Sequence, residues 1–194
     1  MAVYFVETSA LAKRYIAETG SVWLRTLLDP STGCSIYVVR VTAVEMIAAI
    51  TRRERGRTLT PTDAAAARQA FCSDLATAYQ VIEVTPALAN RAMWLAEQHG
   101  LRGYDAMQLA AALEVHVRYL AAGLPAVTCI SADTELNAAA IAEGLTIVDP
   151  NTHPGLQGRA KYQSDNHLAG SSLSEFRLAG DSLAMDTAPC LRLA

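Results

Sequence analysis

The sequence predicts an α/β fold of three layers, α/β/α, built on a central, mostly parallel sheet. Three observations lead there. Short Val/Ile-rich runs alternate with longer helical patterns, as expected when parallel strands are joined by crossover helices. The chain is alanine-rich and 52% hydrophobic, which favours many helices. At 194 residues it can bury one full core but is too short for two ordinary domains and a linker.

Residues 2–6 alternate and β-branch like a buried strand, with Glu7 at its carboxyl end and Thr8-Ser9 offering an N-cap for a helix through about residue 16. A second helix is expected over 21–28. Asp29-Pro30-Ser31-Thr32-Gly33 is a turn leading into a strand at 34–38. Residues 41–54 carry apolar side chains at 41, 44, 47, 48 and 50, a helical stripe with Glu45 on its border. Thr60-Pro61-Thr62-Asp63 opens a helix to about Tyr79, with Pro61 at its first position. A strand at 81–84 follows. Helices at 86–99 and 104–121 are separated by Gly100-Leu101-Arg102-Gly103, so Asp105 falls in a first turn. A strand at 126–130 leads through Ser131-Ala132-Asp133 into a helix to about Glu143, Gly144 ends it, and 145–148 is a last strand. Residues 1–154 thus form the domain. Residues 155–194, rich in glycine, serine and scattered charge, read as a loosely ordered C-terminal tail, with a small helix near 173–178 and a possible origin outside the natural protein.

No apolar stretch reaches the roughly 18 residues needed to cross a bilayer. Residues 1–6 lack a basic n-region, so no signal peptide is expected and the reading is cytoplasmic. Cys34, Cys72, Cys129 and Cys190 form no C-x-x-C pair, which argues against zinc and a disulfide framework and for buried free thiols. The net charge of −3 is not that of a typical nucleic-acid binder. Setting four candidate ligand acids aside leaves the remainder slightly positive, so RNA is not excluded.

Those four acids, Glu7, Glu45, Asp105 and Asp133, each stand where an apolar run passes into a helical pattern. Burying a carboxylate among apolar residues is unfavourable unless its charge is compensated, and a divalent cation does this well. In parallel α/β sheets ligands collect at the carboxyl ends of strands, where all four are expected. Converging carboxylates repel, so such a cluster requires bound cations or partial protonation at neutral pH. Mg²⁺ and Mn²⁺ favour oxygen ligands, and no histidine accompanies the acids, which disfavours zinc and non-haem iron. Such a site suits phosphodiester hydrolysis by metal-activated water. Thr8, Ser9 and Ser131 are candidates to position water or the carboxylates, as are Thr134 and Asn137. Taken singly, Glu7, Asp105 and Asp133 also read as helix-capping or first-turn acids. Glu45 is harder to explain that way.

The segments Tyr4-Phe5-Val6-Glu7-Thr8-Ser9-Ala10-Leu11, Val44-Glu45, Tyr104-Asp105-Ala106-Met107-Gln108-Leu109-Ala110 and Ser131-Ala132-Asp133-Thr134-Glu135-Leu136 resemble the PIN-domain family, especially its VapC-type toxin ribonucleases of toxin-antitoxin systems. The resemblance spans about residues 2–154, including Asp149-Pro150-Asn151. It implies a Mg²⁺- or Mn²⁺-dependent endoribonuclease, usually a homodimer, held inactive by a cognate VapB-like antitoxin. The family pattern has Asp at the end of the first strand, where this chain has Glu7. The extra methylene displaces the carboxylate by roughly 1.5 Å, against a catalytic tolerance of about 0.5 Å. Metal affinity and activity are therefore expected to be lower than in a Glu7→Asp form.

Lys13, Arg14, Arg52 and Arg53 are candidate RNA contacts, although Arg52, Arg53, Arg55 and Arg57 equally read as cations complementing a helix C-terminus. His99, His116, His153 and His167 are dispersed and read as surface residues. Trp23 and Trp94 fit core or interface packing, and apolar faces near Trp23 and within 60–79 are expected to serve a dimer or antitoxin. One rival reading is a PIN-like module impaired by Glu7 that binds RNA or antitoxin without cleavage. A nucleotide-cofactor enzyme is disfavoured, because no glycine-rich loop follows the first strand. A metal-dependent phosphatase remains a third alternative.

Overall fold

The computed structural model describes residues 2–153. The expectations for 155–194, including the tail and its short helix, lie outside these residues. Among the described residues the order is β1 (Val3–Val6), α1 (Thr8–Tyr15), α2 (Ser21–Leu27), β2 (Ser35–Val39), α3 (Val41–Arg55), α4 (Pro61–Thr77), β3 (Tyr79–Ile82), α5 (Pro86–His99), α6 (Gly103–Ala121), β4 (Thr128–Ile130), α7 (Thr134–Ala142) and β5 (Thr146–Val148). Short 3-10 turns occupy Pro30–Thr32 and Pro150–Thr152.

The sheet order is β3-β2-β1-β4-β5, and every neighbouring pair is parallel. The expected mostly parallel sheet is thus wholly parallel among the described strands. The chain moves outward from β1 through β2 to β3, then returns to the other side of β1 with β4. The carboxyl edge between β1 and β4 is therefore a topological switch point, where open α/β sheets form their ligand crevices.

Alternation along each strand divides the interior into two apolar clusters. Val3, Phe5, Val39 and Cys129 face one way and pack with Leu88, Leu95, Leu109, Leu113 and Leu136 from α5, α6 and α7. Val6, Val38 and Ile130 face the other way and pack with Leu11, Leu24, Met46, Ile50 and Phe71 from α1 to α4. These are the three layers.

Most elements form where local sequence dictates. Thr60 and Thr85 cap α4 and α5 by accepting from the backbone N–H of Asp63 and Leu88, each with proline following at the first helical position. Several boundaries shift by one or two residues, β3 from 81–84 to Tyr79–Ile82 and β4 from 126–130 to Thr128–Ile130 among them, and two shifts change a residue's role. Glu7, rather than Thr8 or Ser9, caps α1, because its carboxylate folds back to accept from the Ser9 backbone N–H at 2.8 Å. Tyr79 belongs to β3 rather than to the end of α4, since pairing runs from Ile36 with Tyr79 to Val39 with Ile82. The Tyr79 hydroxyl also meets that of Tyr15, beside Asp74, and Arg14 binds Asp74 at 3.0 Å.

Cys34 and Cys129 are free thiols. Cys72 is disulfide-bonded, a correction to the expectation of free thiols at that position. Trp23 is half-buried against the second cluster and stacks on His153 with ring centroids 4.2 Å apart. Behind it Gly20 lies at φ +83°, and a Cβ there would collide with the Pro150 carbonyl oxygen. Gly20→Ala is accordingly expected to destabilise the protein by about 2 kcal/mol, from left-handed backbone strain plus the clash. A lowered urea midpoint with unchanged slope would show it, and an unchanged midpoint would contradict it.

Candidate active site

The carboxyl ends of β1 and β4 place two site segments side by side. The backbone N–H of Glu7 continues the ladder to the Ile130 carbonyl at 3.0 Å, and that of Ser131 bonds Val148 at 3.2 Å. Glu7 is only 4% exposed. Its Oε2 accepts from the Ser9 backbone N–H, from the Ser9 hydroxyl and, at 3.3 Å, from the Ser131 hydroxyl. Ser9 Oγ also accepts from the Ala132 backbone N–H at 2.9 Å, and Ser131 Oγ from that of Asp133 at 3.1 Å. The two serines thus tie the strand ends together around one carboxylate oxygen.

Burial pushes the Glu7 carboxyl up to about 7, against the hydrogen bonds from Ser9 that favour its anion, and the charges of Glu45 and Asp133 add to the rise. Asp105, half-buried in the first turn of α6, is also raised, first by burial and then by Asp133 and Glu45, with Glu135 adding and Arg102 opposing. Asp133 caps α7, accepting from the Leu136 backbone N–H at 2.9 Å. Glu45 accepts at Oε2 from the Thr8 hydroxyl at 2.6 Å and from the Gln108 amide at 2.7 Å. The fold therefore brings the four acids into one electrostatic neighbourhood from α3, α6 and the switch point.

None of the ion pairs among the described residues involves these acids. No ion pair offsets their charge, and burial together with their mutual repulsion raises the Glu7 and Asp105 carboxyls. No three of the described Asp, Glu, His or Cys side chains already stand as a ligand set for a metal ion, as is natural for carboxylates that repel. The donor chemistry nevertheless fits a hard divalent cation: oxygen donors and several negative charges.

The basic residues separate on the structure. Lys13 is 5% exposed and lies 4.0 Å from Glu18. Arg14 is held by Asp74 and the Leu28 carbonyl, and Arg53 by Glu18 at 3.0 Å. Arg52 is exposed and has no side-chain hydrogen bond or ion pair among the described residues. It lies seven residues beyond Glu45 on α3, on the same face and about 10 Å along the axis. Arg102, also exposed, stands beside Asp105. His99 is half-buried and bonded to Glu143 at 2.8 Å rather than lying on the surface. His116 Nδ1 and Asn137 Oδ1 are buried without partners among the described residues, while Asn137 Nδ2 donates to the Ser131 carbonyl.

Sequence reasoning missed Thr42 and Gln108, which are 0% and 1% exposed. Gln108 interrupts the apolar run Met107-Leu109-Ala110-Ala111-Ala112-Leu113. A polar group in such a buried run has to be satisfied by something; on α3, by contrast, the buried face is Thr42, Met46 and Ile50, and Val44 of the expected stripe is 61% exposed.

No family model matches the chain. Two curated proteins of Mycobacterium tuberculosis do: ribonuclease VapC45 of strain CDC 1551 / Oshkosh and ribonuclease VapC49 of strain ATCC 25618 / H37Rv. Each is 32% identical over 153 residues, covering 78% of this chain and 98% of the relative. Among solved structures, FitAB bound to an IR36 DNA fragment aligns over 76% of this chain and 94% of that one, at 15% identity and TM-score 0.52, which speaks to the fold. Nearly the whole length of both mycobacterial proteins is matched, and the chain belongs to the VapC ribonuclease family of PIN-domain proteins.

Proposed function

We propose that the protein is a toxin endoribonuclease dependent on Mg²⁺ or Mn²⁺, hydrolysing RNA phosphodiester bonds. The observation that carries this reading is the acidic neighbourhood at the β1/β4 switch point, without ion pairs among the described residues, in a chain of the VapC ribonuclease family. Glu7, Glu45, Asp105 and Asp133 would hold the cation. When bound, such an ion polarises the phosphodiester and lowers the pKa of attacking water. The chain's own contribution is placement. Ser9 and Ser131 fix Glu7, the α7 N-terminus fixes Asp133, and Thr8 and Gln108 fix Glu45. Arg52 and Arg102 are the exposed cations best placed to meet a phosphate backbone, and single-stranded or looped RNA presents that backbone most accessibly.

Regulation by a cognate VapB-like antitoxin and assembly as a homodimer are part of the same proposal, supported by family membership. The exposed large apolar side chains lie only in part where the sequence suggested: Val22, beside Trp23, is 56% exposed. Trp23 is covered by His153, whereas Met93 and Trp94 on α5 and Val117 and Leu120 on α6 are each at least half exposed. No helix among the described residues is long and apolar enough to cross a membrane.

The extra methylene at Glu7 gives a second prediction. With Oε2 engaged by Ser9 and Ser131, the carboxylate serves as a helix cap as well as a ligand. Glu7→Asp is expected to bind Mn²⁺ more tightly and to cleave faster. The experiment compares this chain, Glu7→Asp and Asp105→Asn on a mixed, fluorescently labelled RNA pool with Mg²⁺ or Mn²⁺. Metal-dependent cleavage that Asp105→Asn abolishes supports the nuclease, and equal rates for the first two forms would remove Glu7 as an attenuating residue. No cleavage by any form, with RNA binding retained, would favour an impaired binding module, the reading to which the capped, buried Glu7 lends weight.

A further inference from the structure

Behind Glu45 lies a buried polar network that connects three helices across the core. Gln108 Nε2, from α6, lies 2.7 Å from Glu45 Oε2 on α3, 2.6 Å from Thr8 Oγ1 on α1 and 3.1 Å from Thr42 Oγ1 on α3. Thr8 Oγ1 donates to Glu45 Oε2 at 2.6 Å, and Thr42 Oγ1 reaches Gln108 Oε1 at 3.4 Å. Charge fixes the orientation of the amide, because a carboxylate only accepts, so the NH₂ end must face Glu45. Its two N–H groups then serve Glu45 and a threonine hydroxyl, and Thr42 holds the carbonyl end.

Gln108, Thr42 and Thr8 are 1%, 0% and 8% exposed, so water has little part in orienting Glu45 from this side. Both bonds to Glu45 converge on Oε2, and no hydrogen bond among the described residues reaches Oε1. The carboxylate is therefore gripped by one oxygen. A network whose members satisfy one another in a low-dielectric interior is rigid, and rigidity of supporting groups tunes metal ligands. Leucine or methionine at position 108 would fill the same space with apolar surface, as the rest of the stripe does. Glutamine is the unusual choice there, and Glu45 is the charged group it serves.

We propose that Gln108 is the positioning residue for Glu45, acting with Thr8 and Thr42 to fix one carboxylate oxygen so that the other is presented to the cation. The inference rests on the metal-dependent reading above. It concerns binding geometry, so its effect is expected in cation affinity before any chemical step.

The test is Mn²⁺ titration calorimetry on the full chain, with thermal melts in the absence of metal. Wild type, Gln108→Leu, Thr42→Val, Glu45→Gln and the Gln108→Leu/Glu45→Gln double variant are compared. Gln108→Leu is expected to weaken Mn²⁺ binding by about 10–100-fold, and the isosteric Thr42→Val by less. In the Glu45→Gln background Gln108→Leu should add nothing, because its influence passes through that carboxylate. A role in folding alone would lower the metal-free melting temperature and leave the dissociation constant of the folded protein within twofold of wild type, which overturns the proposal. Equal weakening in both backgrounds overturns it as well. Should Gln108→Leu fail to fold, Thr42→Val and its double variant with Glu45→Gln decide by the same criteria. Wild type that binds no Mn²⁺ overturns the metal reading itself, and this inference with it; that outcome is distinct from wild-type binding that Gln108→Leu leaves intact.

Discussion

Asp105→Asn is expected to lower kcat/KM for RNA cleavage in Mn²⁺ on the order of 10²–10³-fold while leaving the fold intact, a loss typical of removing one well-placed electrostatic group. The substitution keeps the shape of the side chain and removes one negative charge. Asp105 is half-buried at the start of α6, and its carboxyl is raised by burial and by the neighbouring charges of Asp133 and Glu45. Removing that charge relieves repulsion, so the metal-free melting temperature should not fall. Loss of activity without loss of stability identifies a residue retained for chemistry. Cleavage within about tenfold of wild type at saturating Mn²⁺ would mean that Asp105 is a first-turn acid and no more.

Glu7→Gln is expected to stabilise the metal-free protein at pH 8, in the opposite direction from its effect on activity. The Glu7 carboxyl is raised from 4.5 to about 7 in the folded chain. A carboxyl raised on folding binds its proton more tightly in the native state, so its contribution is favourable below the unfolded value and is lost as pH climbs through the folded value. At pH 8 the buried anion would destabilise the fold by about 3 kcal/mol. Glutamine keeps the hydrogen-bonding oxygen for Ser9 without the charge. Its melting temperature should exceed that of wild type by roughly 5–10 °C at pH 8, and the two should converge near pH 4.5. Added Mn²⁺ should raise the wild-type melting temperature more at pH 8 than at pH 5.5, because protons compete for the carboxylates. Identical melts of the two forms at pH 8 would show that the Glu7 charge is compensated without metal.

Proline at the first position of α4 and α5, threonine before each, and helical periodicity through α3, α5 and α6 are local signals, and those elements appear within a residue or two of expectation. Alanine-rich helix propensity runs up to Tyr79 and predicts helix there, whereas its pairing with Ile36 is a long-range contact that periodicity cannot register. The carboxylates were legible because an acid at an apolar boundary is conspicuous. Gln108 and Thr42 were not, because a neutral polar residue in an apolar run is less so, and their partners lie 63 to 100 residues away in sequence.

The basic residues mark the boundary most clearly. On the linear chain Lys13, Arg14, Arg52 and Arg53 are equivalent cations near the acids. In the fold Lys13 is buried, Arg14 and Arg53 are committed to Asp74 and Glu18, and Arg52 stays exposed. The sequence by itself determined the element types, the α/β class, the four candidate acids and the family, because propensity, capping and motif spacing are properties of short segments. Only the tertiary structure decided the strand order that makes β1/β4 a switch point, the capping role of Glu7, the grip of Gln108 on Glu45, and which cations remain free. Each of these depends on which distant segments the two apolar clusters bring into contact.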